Sequence, residues 1–393
     1  MTIFITGITG LIGSHLAEFL LEETPHNVVG LVRVRGNIQN LDHLAHFAPT
    51  SLKLRGASRA AAARLRVVEG SVDDGKAIDD VIRKTKPDIL FHLAAQSYPH
   101  ESWSAPISTF HTNVDSTIHI LETVKTVNPK MKVLVACSAA EYGLVHHERS
   151  LLPKEGETLT RQDYPPLTEN TPLHPLHPYG ISKVAQEMLG YEYFVNFGIP
   201  VYLPRFFIQA GPRQGDRISV QTFAKQIAEK EISLGKKRGG AEWAPLRSGG
   251  ASEGQGSLAN RSPKGEGGSD GGDEVTGPHT IRVGNLNAYR DYLDVRDGVR
   301  AIWAIVEKGK PGTPYNVCSG TAYKVQYILD SLIKMASVPI RVEVDPKRLR
   351  PSDEPVILGS HEKLTAATGW TPKIPIEETL RSILNYWRHA LSA

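Results

Sequence analysis

The chain has 393 residues, 40% hydrophobic and 22% charged, a length that suits one large α/β unit with a smaller companion rather than one small core. Its net charge of +3 comes from scattered rather than striped basic residues, which excludes nucleic acid as the main partner. Only Cys137 and Cys318 are present, far apart, which excludes a disulfide framework or a thiolate metal site and suits a reducing compartment.

In chain order, "TIFIT" (2–6) predicts a buried strand and "GSHLAEFLLEE" (13–23) a helix. Further strands are expected at "NVVGLV" (27–32), "LRVVEG" (65–70) and "DILFHLAA" (88–95). A long helical pattern at 107–127 precedes the strand "KVLVACSA" (132–139), a helix over about 178–197 and the strand "PVYLPRFF" (200–207). Continuously apolar strands separated by helices predict an α/β fold, a doubly wound parallel sheet with right-handed crossovers. The second half mixes helices near 220–233, 297–308, 324–336 and 376–390 with short strands at 279–284 and 314–319, a smaller C-terminal α/β lobe. The expected division is 1–203 for the first domain and 204–393 for the lobe, partly interleaved. Residues 235–280 break the pattern with 13 glycines in 46 positions and read as a disordered insert. Residues 51–65 read as a solvated loop or helix whose arginines offer an alternative grip on a phosphate. No 18-residue apolar run occurs and the first strand begins at Thr2 with no signal peptide before it, so the expectation is a soluble cytoplasmic protein, with no membrane partner.

The first turn carries chemistry. A strand ending at Gly7 and feeding a helix brings unpaired backbone N–H groups to one point, where the helix dipole favours phosphate. Gly7 allows the tight turn, Gly10 the approach of a pyrophosphate, and Gly13 close packing of helix on strand. At the end of the second strand "GLVRVRGN" (30–37) offers Arg33 and Arg35 and no carboxylate. NADP(H) is therefore favoured over NAD(H), which stays possible, with Arg33 the better candidate for the 2′-phosphate.

"HPYGISK" puts Tyr179 and Lys183 on one face of a helix. An ammonium beside a phenol is expected to lower the tyrosine pKa, preparing it for proton transfer to or from a substrate oxygen. The strand ending "CSAAEYG" supplies a hydroxyl, Ser138, to the same place.

"TGITGLIG", "HLAAQS", Ser138 and "YGISK", in this order, resemble the extended short-chain dehydrogenase/reductase family. The resemblance implies a Rossmann-like domain, hydride transfer through bound NAD(P) with Ser138, Tyr179 and Lys183 as catalytic residues, and a C-terminal lobe binding a nucleotide sugar. It further implies that Thr9, Leu11 and Ile12 line the pyrophosphate, that Leu93, Ala94 and Ala95 pass under the cofactor with Ser97 and Asn113 close by, and that Tyr179 and Lys183 also touch it. Homodimers built through the helices at 107–127 and 178–197 are implied in the same way. "VGNLNAYRDYLDVRD" (283–297), "YNVCSG" (315–320) and "LRPSDEPVILG" (349–359) are similar to the GDP-mannose branch, to GDP-4-dehydro-6-deoxy-D-mannose reductases with GDP-mannose 4,6-dehydratases as near relatives. Arg290 and Arg350 supply fixed cations suited to the diphosphate of a GDP-linked substrate, and by resemblance Lys225 borders the nucleotide.

A 4,6-dehydratase needs an acid or base one or two places after the hydroxyl residue, and those places hold Ala139 and Ala140. The first carboxylate is Glu141, expected on an extended strand end to point away from the side of Ala140. The expected activity is therefore NADPH-dependent reduction of GDP-4-dehydro-6-deoxy-D-mannose to a GDP-6-deoxyhexose such as GDP-D-rhamnose. A dehydratase or related epimerase is the alternative, and a non-enzymatic NADP-binding scaffold a third. Three departures from the family stand out: Ile208 in place of a polar substrate contact, Ser71 in place of a carboxylate, and "PLHPLHP" (172–178). The second leaves adenine contact to the Val72 backbone and Asp73. In the third, His174 and His177 lack partner ligands, so a shaped substrate loop is expected and no metal.

Overall fold

A computed structural model describes residues 1–33, 36–48, 63–143, 156, 158–237, 279–348 and 354–392. The glycine-rich insert from 238 to 278, positions 51–62, Arg35 and Arg350 lie outside the described residues.

The first half builds β1 (Thr2–Thr6), α1 (Leu11–Glu23), β2 (Asn27–Val32), β3 (Leu65–Glu69), α2 (Gly75–Thr85), β4 (Ile89–His92), α3 (Pro99–Ser104), α4 (Pro106–Phe110) and α5 (Ser116–Val127). Then come β5 (Lys132–Val135), β6 (Cys137–Ser138), β7 (Thr158–Leu159), α6 (Pro178–Phe197), β8 (Val201–Phe206) and β9 (Ile208–Ala210). The second half adds α7 (Ser219–Lys237), β10 (His279–Val283), β11 (Tyr289–Asp294), α8 (Val295–Lys308), β12 (Pro314–Val317) and β13 (Ala322–Lys324). It ends with α9 (Val325–Lys334), β14 (Ile340–Val344), β15 (Val356–Ile357), α10 (Glu362–Thr368) and α11 (Ile376–Ser392).

The main sheet runs β3-β2-β1-β4-β5-β8-β12, with β6 also on β8, and every pairing is parallel. The strand order reverses at β1, as in a doubly wound sheet. Side chains on β1 alternate between the two faces: Ile3 and Ile5 join Leu16 and Leu20 of α1 and Ile302 and Ile305 of α8. Phe4 joins Ile78 and Ile82 of α2 and Ile120 and Val124 of α5. Each such fully buried Ile or Leu contributes about 1.5–3 kcal/mol. Local signals agree with this packing. Asp74 caps α2 by accepting from the N–H groups of Lys76 and Ala77, and Gly198 ends α6 at φ +68°.

The second half is interleaved with the first, since β12 closes the main sheet and α8 covers α1. A smaller mixed sheet, β15-β11-β13-β7 with β9 also on β11, and the pair β10-β14 stand beside α7, α9 and α11. Val220, Phe223, Ile227, Ile328, Leu332, Leu380 and Leu384 form their shared core. Among the described residues no helix is long and apolar enough to cross a membrane.

Two expected elements are interrupted. The 107–127 helix is broken by a π-type turn at His111–Asp115, and the wider turn accompanies an inward-facing Asn113 whose amide bonds Gln96 and Ser182. The 132–139 strand is broken at Ala136, whose carbonyl accepts from Lys183 Nζ at 2.7 Å rather than from a neighbouring strand.

At the end of β4 the His92 ring is fully buried, bonded through Nδ1 to Thr6 Oγ1 at 2.9 Å and through Nε2 to Ser116 Oγ at 3.2 Å. Burial and the nearby Lys183 hold its pKa down to about 3. Between about pH 6.5 and 3 the unfolded chain takes up a proton that the folded one refuses, so stability falls with acidification, by at most about 1.4 kcal/mol per pH unit for that one group. Urea unfolding followed from pH 6.5 to 4.5 should give a shallower loss for His92→Gln than for wild type; parallel slopes would remove His92 as a cause.

Candidate functional site

At the end of β1 the chain turns through Gly7 at φ +72°, and Gly10 N–H bonds the Gly7 carbonyl at 2.9 Å. A Cβ on Gly7 would stand 2.7 Å from Ala94 N, and one on Gly13 would stand 2.2 Å from Gly7 O. Only glycine lets this turn, α1 and the segment after β4 meet so closely. Helix α1 starts at Leu11 with Gly10 as its N-cap, without a side-chain cap or an acidic residue in the first turn, so its leading N–H groups are left for an acceptor. Thr6 Oγ1 accepts from Ala94 N–H at 3.2 Å, tying β1 to the floor formed by Leu93, Ala94 and Ala95. Gly10 and Ser97 are exposed, while Thr9, Leu11, Ile12 and Leu93–Ala95 are half-buried.

The second group of residues lies at the start of α6. His177 caps the helix by accepting from Gly180 N–H at 2.9 Å, and its ring stacks on Tyr179 with 5.8 Å between centroids. A Cβ on Gly180 would stand 2.6 Å from Ala140 O, so glycine lets the first turn of α6 rest on the 138–141 segment. There Ser138 stands close enough to Tyr179 to work against the rise in the phenol's pKa. Lys183 is 2% exposed, its ammonium on the Ala136 carbonyl and 5.8 Å from the centre of the Tyr179 ring. Burial lowers the Lys183 pKa to about 8 and raises that of Tyr179 to about 12, against the effect of Ser138. The expectation that Lys183 sharpens the phenol is thus corrected. Its ammonium is directed to the broken strand and lies over the ring, so desolvation dominates at Tyr179.

Glu141 also departs from expectation. Residues 139–141 form a 3-10 turn rather than an extended strand, and Glu141 closes a capping box, its Oε1 accepting from Ser138 N–H at 2.7 Å. The side chain is fully buried, with Arg205 Nε 3.5 Å from Oε2. Burial, then the neighbouring Glu187, hold its carboxyl well above the usual range.

Other expected site residues are spread around this centre. Arg33 is exposed just past the end of β2. Val72 is buried in the core, beside Asp73, which accepts from Ser71 Oγ at 3.0 Å. Asn113 is fully buried and directs its amide into the protein, holding the Gln96 backbone and Ser182. These bonds tie the loop after β4 to the first turns of α6. Lys225 on α7 is ion-paired with Asp216 at 2.6 Å and lies over Trp387. Arg290 on β11 donates to the carbonyls of Tyr289 and Glu354. Ile208 on β9 is half-buried. His174 pairs with Gly143 and His177 caps α6, and among the described residues neither belongs to a cluster of metal-ligating side chains.

Some contributors escaped the sequence reading. The Asn40 amide donates to Thr9 O at 2.8 Å and Arg213 O at 3.0 Å, joining the glycine turn to the 211–217 loop. Arg213 in turn bonds Glu18 and His43, and Arg217 covers Tyr98 and pairs with Glu101. These partners are 31 to more than 170 residues apart, with no periodic signal to announce them. Glu187 was within reach, because it extends the Tyr179–Lys183 spacing by one further turn.

The model of the family described as GDP-mannose 4,6 dehydratase matches residues 4–240 and 275–383. The chain is 27% identical over 387 residues to the GDP-6-deoxy-D-mannose reductase of Pseudomonas aeruginosa, covering 98% of this chain and 96% of that one. It is 24% identical over 389 residues to GDP-mannose 4,6 dehydratase 1 of Arabidopsis thaliana, covering 97% and 88%. Among solved structures, RMD from Pseudomonas aeruginosa complexed with NADPH aligns over 99% of both chains with a TM-score of 0.69 at 24% identity. A UDP-glucose 4-epimerase from Thermotoga maritima with UDP-glucose aligns over the whole of both with a TM-score of 0.72 at 21% identity. These structural likenesses establish a shared fold.

Proposed function

The chain belongs to the GDP-mannose 4,6-dehydratase family, and from that premise we propose that it is an NADPH-dependent reductase of a nucleotide-linked 4-keto-6-deoxy sugar. The substrate read from the sequence is GDP-4-dehydro-6-deoxy-D-mannose, and the product a GDP-6-deoxyhexose such as GDP-D-rhamnose. The observation that carries the choice of reduction over elimination is at Ser138. The two positions after it are Ala139 and Ala140, and the next carboxyl, Glu141, is fully buried and closed onto the Ser138 backbone. Removing the C5 proton of a hexose needs an acid or base facing the sugar, and that stretch presents methyl groups.

The residues present fit a dinucleotide: a cradle that a Cβ at Gly7 or Gly13 would fill, and uncapped N–H groups at the head of α1. Gly7, Thr9, Gly10, Leu11, Ile12 and Gly13 would hold its pyrophosphate, Val72 its adenine end, Leu93–Ala95 and Ser97 its underside, and Lys183 its ribose. When bound, the nicotinamide supplies the hydride. Tyr179 would then give its hydroxyl proton to the ketone oxygen at C4, and the Ser138 hydroxyl would donate to the same oxygen as charge develops there. Lys183, with its pKa near 8, carries a positive charge at neutral pH while its ammonium stays on the Ala136 carbonyl. Lys225, Arg290 and Arg350 are read as the cations of the diphosphate side.

Purified protein mixed with the 4-keto sugar and NADPH should bleach absorbance at 340 nm, and Tyr179→Phe should abolish this while coenzyme affinity stays within about twofold. Loss of GDP-mannose with no net change in NADPH would instead identify a dehydratase, and undiminished turnover by Tyr179→Phe would discard the mechanism.

Arg33 is read as the partner of the 2′-phosphate. Arg33→Ala should weaken NADPH binding about tenfold or more, the loss of about 1.4 kcal/mol or more expected for one charged hydrogen bond, and leave NADH binding unchanged. Equal effects on the two coenzymes would remove Arg33 from this role.

The chain is further read as a homodimer. Ile181, Met188, Tyr191 and Val195 form an apolar stripe along α6, each about half exposed, beside Trp103 and the 85%-exposed Ile107. Sedimentation at micromolar concentration should give a dimer that Met188→Glu dissociates; a monomeric wild type would refute the reading.

A further inference from the structure

Tyr179, Lys183 and Glu187 recur every four residues on one face of α6, and the third has no part in the proposed reaction. Glu187 is 2% exposed, and both of its carboxylate oxygens accept from Arg205 of β8, from Nε at 2.7 Å and Nη2 at 2.6 Å. The same guanidinium approaches Glu141 Oε2 at 3.5 Å and donates through Nη1 to the Tyr142 hydroxyl at 3.0 Å, which in turn donates to Asn316 Oδ1 at 2.6 Å. Glu141 Oε1 holds Ser138 N–H and Ser138 Oγ holds Ala140 N–H at 3.1 Å, on the segment against which the first turn of α6, with Tyr179, rests at Gly180. The contacts run from Glu187 across Arg205 to Glu141 and on to the Ser138 backbone, and Tyr179 lies two turns before Glu187 on the same helix.

We propose that this buried Glu187–Arg205–Glu141 relay sets the register of α6 against the end of β6, and that Glu141 is the positioning residue for Ser138. The inference rests on the reading of Ser138 and Tyr179 as the pair that delivers the proton. Helix α6 is pinned at its first turn, where Gly180 rests on Ala140 O, and again two turns later at Glu187. Two fixed points stop both sliding and rotation, which one contact does not. Hydrophobic packing could fill the same volume at lower desolvation cost. A fork bonded to a carboxylate in two places specifies distance and angle, which packing leaves loose. Two carboxyls beside one guanidinium do not both ionise easily. Burial, then the neighbouring Glu187, hold the Glu141 carboxyl toward its neutral form, while its Oε1 accepts from Ser138 N–H. A glutamine has the same donor and acceptor.

Crystal structures and kinetics of Glu141→Ala and Glu141→Gln test this. In Glu141→Ala the Ser138 hydroxyl should move relative to Tyr179, and kcat should fall about 10- to 100-fold, with KM and coenzyme Kd within about twofold of wild type. Glu141→Gln should restore both the hydroxyl's place and kcat. An unmoved Ser138 hydroxyl in Glu141→Ala, full activity of that variant, or equal loss in Glu141→Gln would each overturn the proposal. Arg205→Lys, which keeps the charge and loses the two-point fork, should displace the same hydroxyl and provides the structural readout if Glu141→Ala does not fold. The crystallographic position requires no turnover, so a wild type inactive on every nucleotide sugar would defeat the functional reading while the geometry stayed testable.

Discussion

An ammonium enclosed in a protein needs an oxygen, and Lys183 finds one by taking the Ala136 carbonyl out of the sheet. That exchange links several features. The strand breaks at Ala136, its last two residues continue as a separate pairing with β8, and Ser138 is delivered to the first turn of α6. The helix that carries the lysine is thereby tied to the strand that carries the serine. Tyr179, one turn before the lysine, is left beside both.

The electrostatics around that point are set by burial more than by pairing. His92 is kept neutral, Lys183 is weakened as a base for protons, and Tyr179 is held protonated. The carboxyls nearby, Glu141 and Glu187, are folded under the serine and bound to Arg205. Both are buried, Glu187 on the Arg205 guanidinium and Glu141 on the Ser138 backbone.

The two halves of the chain are also tied at the opposite side of the site. The Asn40 amide joins the glycine turn to the loop ahead of α7, and Arg213 and Arg217 extend the same loop onto α1 and α3. With β12 in the main sheet and α8 on α1, the smaller lobe is built into the larger one. A ligand bridging the glycine turn and the lobe would meet surfaces already held in fixed relation, so less freedom is lost on binding.

Patterns local along the chain were legible. The alternation of apolar strands and helices set the doubly wound sheet, helix α6 was readable over about 178–197, and the glycine spacing with Tyr179, Lys183 and Ser138 named the candidate site. These signals depend on backbone periods and steric rules that act within a few residues. Tertiary structure alone decided the break at Ala136, the π-type turn that aims Asn113 inward, the raised pKa of Tyr179, and the closure of Glu141 onto Ser138. Each of these depends on which distant groups surround a residue once the sheet has formed: desolvation and close hydrogen bonding arise from three-dimensional neighbours, and no spacing along the chain encodes them.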